Sequence, residues 1–97
     1  RMYYTYVLLS TKENKLYIGF TQDLKTRMAL HKRGFMMKGK NSGPLKLIYL
    51  EASLNKNDAA RRDKYLSSFF GRRYLKTRLK KYFASPQNEK DSKFTSF

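Results

Sequence analysis

The sequence predicts an α+β domain with elements in the order β-β-α-β-α-α. Three observations carry this: the apolar alternation Leu16, Ile18, Phe20, the dense apolar run Leu45 to Leu50, and helical apolar spacing on both sides of Gly71.

Residues 3–20 read as a β-hairpin, because Met2 to Leu9 is rich in tyrosine and branched apolar residues and Glu13-Asn14 supplies a turn before the second strand. Tyr6 and Tyr17 then lie on neighbouring strands. Successive strand residues point to opposite faces, so Leu16, Ile18 and Phe20 share one face and Tyr17 is displayed on the other, next to the side-chain-free Gly19. Thr21 as N-cap and Asp23 in the first turn start a helix over about residues 22–32. On that helix Arg27 and His31 are four apart and share a stripe with Leu24. Phenol, guanidinium and imidazole can thus converge. The plain alternatives are a tyrosine packed on the sheet, a solvated arginine and an ordinary helix histidine; the clustering of the three weighs against them.

Arg33 to Gly43 combines three glycines with Arg33, Lys38 and Lys40, which suits a basic loop, either a flap contacting phosphates or a solvated surface segment. Pro44 opens a buried third strand over 45–50. Asn55 to Asp58 caps a helix whose inward stripe is Ala59, Asp63, Leu66 and Phe70, and Gly71 is expected to end it. A carboxylate on that stripe is costly unless partnered, so Asp63 is paired with an arginine such as Arg27 or held for a metal ion. Arg72 to Phe83 forms a last helix with Leu75, Leu79 and Tyr82 inward. Its outer faces carry Arg72, Arg73, Lys76, Arg78, Lys80 and Lys81 without one acid, a repulsive set that favours phosphate contact. Residues 84–97 lack any period and read as a flexible tail, leaving 1–83 as the domain.

A length of 97 residues allows one modest core, and 40% hydrophobic residues suffice to fold it. A net charge of +15 exceeds what solubility needs and points to a polyanion, nucleic acid first. Because charges cancel within 84–97, the whole excess sits on residues 1–83. The longest aliphatic stretch, Val7-Leu8-Leu9, is too short to span a bilayer and no leader is visible, so a membrane partner is not expected and a cytoplasmic location is. Zero cysteines and a single histidine exclude disulfides, thiolate catalysis and Cys- or His-cluster metal sites, so any metal must use oxygen ligands. Arg1, ahead of Met2, is read as preceding the natural start and carries no argument.

The ordered set Tyr4-Thr5-Tyr6, Tyr17-Ile18-Gly19, Arg27, His31, a third strand and an acid on the next helix resembles the GIY-YIG nuclease superfamily. It is most similar to small bacterial members related to the nuclease domains of excision-repair proteins and some homing endonucleases. The resemblance covers residues 3–83. Tyr17-Ile18-Gly19 matches the second half of the motif intact, and Tyr6 matches the last residue of the first half, where Tyr4 and Thr5 stand for Gly and Ile. Two further departures are Asp63, within Arg61-Arg62-Asp63-Lys64, in place of the metal-binding glutamate, and Thr77 in place of an asparagine found in many members.

The resemblance implies a central three-stranded antiparallel sheet flanked by helices and a metal-dependent endonuclease of low intrinsic sequence specificity, acting on DNA rather than RNA. One Mg²⁺ or Mn²⁺ would be anchored by Asp63, with activity reduced by the shorter side chain. Arg27 would clamp the phosphate, Tyr17 would act as general base, and Tyr6 would orient it or share the proton. His31 would bond a tyrosine or the phosphate, or take up the proton. Lys38, Lys40, Arg72, Arg73, Lys76 and Lys80 would contact nucleic acid, and a protein partner would supply any targeting. The alternative is a non-catalytic nucleic-acid-binding module that keeps the fold. A structural protein coating ribosomal RNA ranks last, since it gives no reason for the five site residues to coexist.

Overall fold

Tyr3–Ser10 (β1) is the central strand of a three-stranded antiparallel sheet, flanked by Lys15–Thr21 (β2) and Leu45–Ser53 (β3) in the order β2-β1-β3. The structure, a computed structural model, describes residues 1–32 and 44–85. Thr5 to Ser10 are buried without interruption because helices cover both faces of β1. Val7 and Leu9 face Ile48, Leu66 and Leu75, whereas Tyr6 and Leu8 face Met28 and Leu47.

Leu24–Lys32 (α1) therefore packs on one side of the sheet. Lys56–Ser67 (α2), Phe69–Arg78 (α3) and Lys80–Ala84 (α4) pack on the other. The α+β class, the antiparallel sheet and the order of elements agree with expectation.

The hairpin turn places Asn14 in the left-handed region at φ 54°, which asparagine tolerates better than most residues. Ser10 Oγ accepts from the Glu13 amide at 3.1 Å and braces the turn. In β3 the register shifts between Val7 and Leu8, since Val7 pairs with Tyr49 and Leu8 with Leu47. The extra residue, Ile48, packs into the same cluster as Tyr49, so the bulge turns two consecutive side chains to one face. The strand continues to Ser53, beyond the expected end at Leu50, because β1 still offers pairing partners down to Tyr3.

Four local expectations are corrected. Asp23, not Thr21, caps α1: its Oδ1 accepts from the Thr26 amide at 3.2 Å and its Oδ2 from the Thr26 hydroxyl at 2.8 Å. Those bonds hold its carboxyl below the usual range, while Thr21 Oγ1 accepts from the Asp23 amide at 3.1 Å and shapes the approach. Gly71 does not end α2. The break falls at Ser68, in extended conformation, whose amide donates to Tyr65 O and whose Oγ accepts from the Gly71 amide at 3.2 Å.

Phe70 is 66% exposed rather than inward, because the break turns it off the stripe that buries Ala59 and Leu66. The last predicted helix is two, α3 and α4, parted at Leu79, whose ψ of 25° leaves the helical region. Its inward residues Leu75, Leu79 and Tyr82 still join the core. The basic segment 33–43 and residues 86–97 of the expected tail lie outside the described residues.

Gly71 is required by proximity. A Cβ there would stand 1.9 Å from Tyr65 O and 2.5 Å from Leu66 Cα, both backbone atoms that cannot swing aside. Glycine to alanine inside an ordinary helix gains about 1 kcal/mol. At this position the sign should invert, with Gly71→Ala losing about 1–3 kcal/mol in urea denaturation, as overpacked sites do. A neutral or stabilised variant would contradict the close approach of α3 to the end of α2.

Candidate active site

Tyr6 and Gly19 are directly paired across β1 and β2, and the pairing places the tyrosine ring over the glycine. A Cβ on Gly19 would come within 2.5 Å of the Tyr6 hydroxyl, so the missing side chain is what lets the phenol lie against β2. From there it reaches α1, where Tyr6 Oη and His31 Nε2 are 3.1 Å apart and the rings meet edge-on at 5.6 Å. Burial pushes the Tyr6 phenol above its ordinary pKa, against the charge and hydrogen bonding of Arg27, which lower it, so Tyr6 is neutral at pH 7.

Burial, then the Arg27 charge, lower the pKa of His31. The folded state therefore favours neutral imidazole, and this contribution to stability is complete above the unfolded pKa of about 6.5 and falls as pH drops below it. His31 Nδ1 is buried with no hydrogen-bond partner among the described residues.

Beside this pair opens a cleft of about 540 Å³ that follows the edge strand β2. Tyr6, Tyr17, Arg27 and His31 line it together with Gly19, Ile18 and Phe20. Asp63 enters the same cleft from α2, on the other side of the sheet. All five residues expected at the chemical centre thus share one cavity. Helical spacing supplies Arg27 and His31, strand alternation supplies Tyr6 and Tyr17, and the edge position of β2 lets Asp63 reach round to them.

Asp63 is half-buried, and Ser67 Oγ donates to it at 3.3 Å. The neighbouring arginines are engaged elsewhere: Arg62 binds Glu51 with both 2.7 and 2.6 Å contacts, and Arg61 lies 4.0 Å from Asp58. Burial consequently raises the Asp63 pKa, with only the Ser67 bond opposing it. Among the described residues no arginine compensates this carboxylate. A half-buried, uncompensated carboxylate facing a cleft suits one hard divalent cation that completes its shell with water and substrate oxygens. No group of three His, Cys, Asp or Glu side chains able to hold a metal occurs among the described residues.

Two cleft residues escaped the sequence reading. Glu13, which the sequence presents as a turn residue, accepts a 2.5 Å hydrogen bond from the Tyr17 hydroxyl, and Lys15 Nζ stands 5.5 Å from the Tyr17 ring centre. Lys15 was detectable, since at i−2 it shares the strand face of Tyr17. Glu13 lies outside the strand, where no period applies.

Of the expected nucleic-acid contacts, Arg73, Lys76 and Lys80 are exposed on α3 and α4, whereas half-buried Arg72 donates to Leu16 O at 3.3 Å and Ser67 O at 3.1 Å, tying α3 to β2. Lys38 and Lys40 lie outside the described residues. Thr77 is exposed on α3 and does not line the cleft.

Because the folded pKa of Asp63 is raised, its stabilising contribution is full below the unfolded value of about 3.9 and is lost as pH rises through the folded one. Ionised Asp63 therefore weakens the metal-free fold at neutral pH. Asp63→Asn should raise the melting temperature at pH 7, and the difference should close at about pH 3. A lower melting temperature at pH 7 would instead reveal a stabilising ion pair.

Comparison with known proteins agrees with this architecture. A family model described as the GIY-YIG catalytic domain matches residues 2–74. UPF0213 protein CPE1444 of Clostridium perfringens is 38% identical over 66 residues, covering 67% of this chain and 70% of the relative. UPF0213 protein SH2523 of Staphylococcus haemolyticus is 33% identical over 75 residues, covering 76% and 90%. The solution NMR structure of UPF0213 protein BH0048 from Bacillus halodurans shares the fold at 23% identity, with a TM-score of 0.50 and 100% of both chains covered. No helix among the described residues is long and apolar enough to cross a membrane. With the family model spanning most of its length and its motif residues gathered in one cleft, this chain belongs to the GIY-YIG catalytic-domain family, and so to the nuclease superfamily built on that domain.

Proposed function

We propose that the protein is a metal-dependent endonuclease that hydrolyses phosphodiester bonds in nucleic acid, DNA in the first place, with little sequence preference of its own. The observation that carries this reading is the meeting of Tyr6, Tyr17, Arg27, His31 and Asp63 in one cleft. Phosphodiester hydrolysis needs a proton acceptor for water, positive charge at the phosphoryl oxygens and stabilisation of the departing oxygen. Arg27 supplies the fixed positive charge. Tyr17, on the cleft wall, is the proton acceptor. Neutral Tyr6 and neutral His31 form a hydrogen-bonded pair that leaves the positive charge of the site to Arg27 and to Lys15 beside Tyr17. Mg²⁺ or Mn²⁺ bound through Asp63 would stabilise charge on the departing oxygen.

The surface supports a polyanionic substrate. The described acids are engaged by Tyr17, Thr26, Arg62, Arg61 and Ser67, while α3 and α4 expose Arg73, Lys76, Arg78, Lys80 and Lys81 and contain no acid. Those cations would bind backbone phosphates, which favours affinity over sequence discrimination. A non-catalytic binding module is the second reading, favoured by Asp63 in place of glutamate.

Single-turnover cleavage of duplex, single-stranded and branched DNA and of RNA, in Mg²⁺, Mn²⁺ or EDTA, tests the proposal. Cleavage should require metal. Tyr17→Phe and Arg27→Ala should each slow it by about 10²–10³-fold while binding persists. Asp63→Ala should abolish it, and Asp63→Glu should raise it, since a misplacement of about 1 Å can cost on the order of a hundredfold. Binding without cleavage of any substrate would favour the second reading, and parental rates in Tyr17→Phe would remove that residue from the chemistry.

A further inference from the structure

The hairpin that presents Tyr17 also holds a carboxylate against it. Glu13 Oε1 accepts the Tyr17 hydroxyl proton at 2.5 Å, the shorter end of the range for charge-assisted O–H···O bonds. The arrangement is built from the backbone upward. Ser10, fully buried, fixes the Glu13 amide through its Oγ, and left-handed Asn14 turns the chain back so that residue 13 faces residue 17. Glu13, Lys15 and Tyr17 all line the cleft, with the Lys15 ammonium near the ring and the carboxylate on the hydroxyl. A hydrogen bond between exposed groups contributes little to stability, so the fold does not need this contact.

We propose that Glu13 is the positioning residue for Tyr17 and the final acceptor of the proton taken from the attacking water, an inference that rests on the nuclease reading. A neutral phenol is a poor base, because a free tyrosine keeps its proton up to about pH 10. A relay removes that difficulty. As the water oxygen forms its bond to phosphorus, one water proton passes to Tyr17 Oη and the Tyr17 proton passes to Glu13 Oε1. The bond from phosphorus to the departing oxygen breaks, and that oxygen takes a proton from solvent. Tyr17 ends as a neutral phenol and Glu13 as a carboxylic acid, which returns its proton to solvent because residue 13 is exposed. Tyr6 does not fill this role, since it is buried on His31. The other ionisable groups lining the cleft with Tyr17 are Lys15, beside its ring, and Tyr6, Arg27, His31 and Asp63.

The test compares the full chain with Glu13→Gln, Glu13→Asp and Tyr17→Phe in single-turnover cleavage with Mg²⁺ across pH 5 to 9, with substrate affinity measured separately. Glutamine keeps an oxygen that accepts from Tyr17 but cannot take a proton. The relay predicts a loss of about a hundredfold in rate for Glu13→Gln with affinity unchanged. Its rate should climb with pH as solvent base takes over, and Glu13→Asp should recover part of the loss. Parental rate and pH profile in Glu13→Gln, beside an inactive Tyr17→Phe, would overturn the relay and leave the nuclease reading intact. Absence of metal-dependent cleavage by the unaltered chain would overturn both.

Discussion

The site depends on how closely Tyr6 approaches Gly19. With no side chain at Gly19 the Tyr6 ring lies against the edge strand, buried to 3% exposure, and its hydroxyl meets His31 on α1. That contact ties the central strand, the edge strand and the helix at one point. Arg27, one turn before His31, is thereby set beside the same tyrosine, whose pKa registers its charge. A hydrogen bond in a low-dielectric setting is stronger than in water, and here Tyr6 Oη and His31 Nε2 satisfy each other while His31 Nδ1 stays without a partner among the described residues.

The second constraint is topological. Because β2 is an edge strand, a cleft along it collects side chains from both faces of the sheet, so residues of α1 and α2 meet without passing through the core. The helices that deliver Asp63 are anchored by contacts remote from chemistry. Thr5 Oγ1 donates to Ala59 O at 2.9 Å, Arg62 grips Glu51, and Arg72 reaches Leu16 O on β2. Gly71 then allows α3 to fold back against α2. Each link fixes the height of α2 relative to the edge strand, and with it the position of the carboxylate.

Much of this was legible in the sequence because period and chemistry coincided. Strand alternation separated Tyr17 from Leu16 and Ile18, and the structure puts them on opposite faces. Helical spacing joined Arg27 to His31. What escaped was local competition among signals. Gly71 has the look of a helix terminator, yet its glycine serves proximity, and the true break at Ser68 is a serine in a serine pair that reads as helix interior. Phe70 followed the extrapolated stripe past that break. For Asp63 the sequence allows an arginine such as Arg27 or a metal ion as partner; among the described residues no ion pair reaches it, and Arg61 and Arg62 find other acids, which no spacing rule reveals. Glu13 depended on a turn conformation, with Asn14 left-handed, that composition alone does not specify.

Where a divalent cation binds relative to the tyrosine pair tests the proposed metal role most directly. Mn²⁺ titrated into the isotope-labelled protein broadens amide signals by distance alone, without reference to any substrate. The account predicts that broadening is strongest at Gly19, Arg27 and Asp63 and that Asp63→Ala removes it. Broadening centred on another part of the surface, or unchanged in Asp63→Ala, would contradict a metal centre in the cleft of the edge strand.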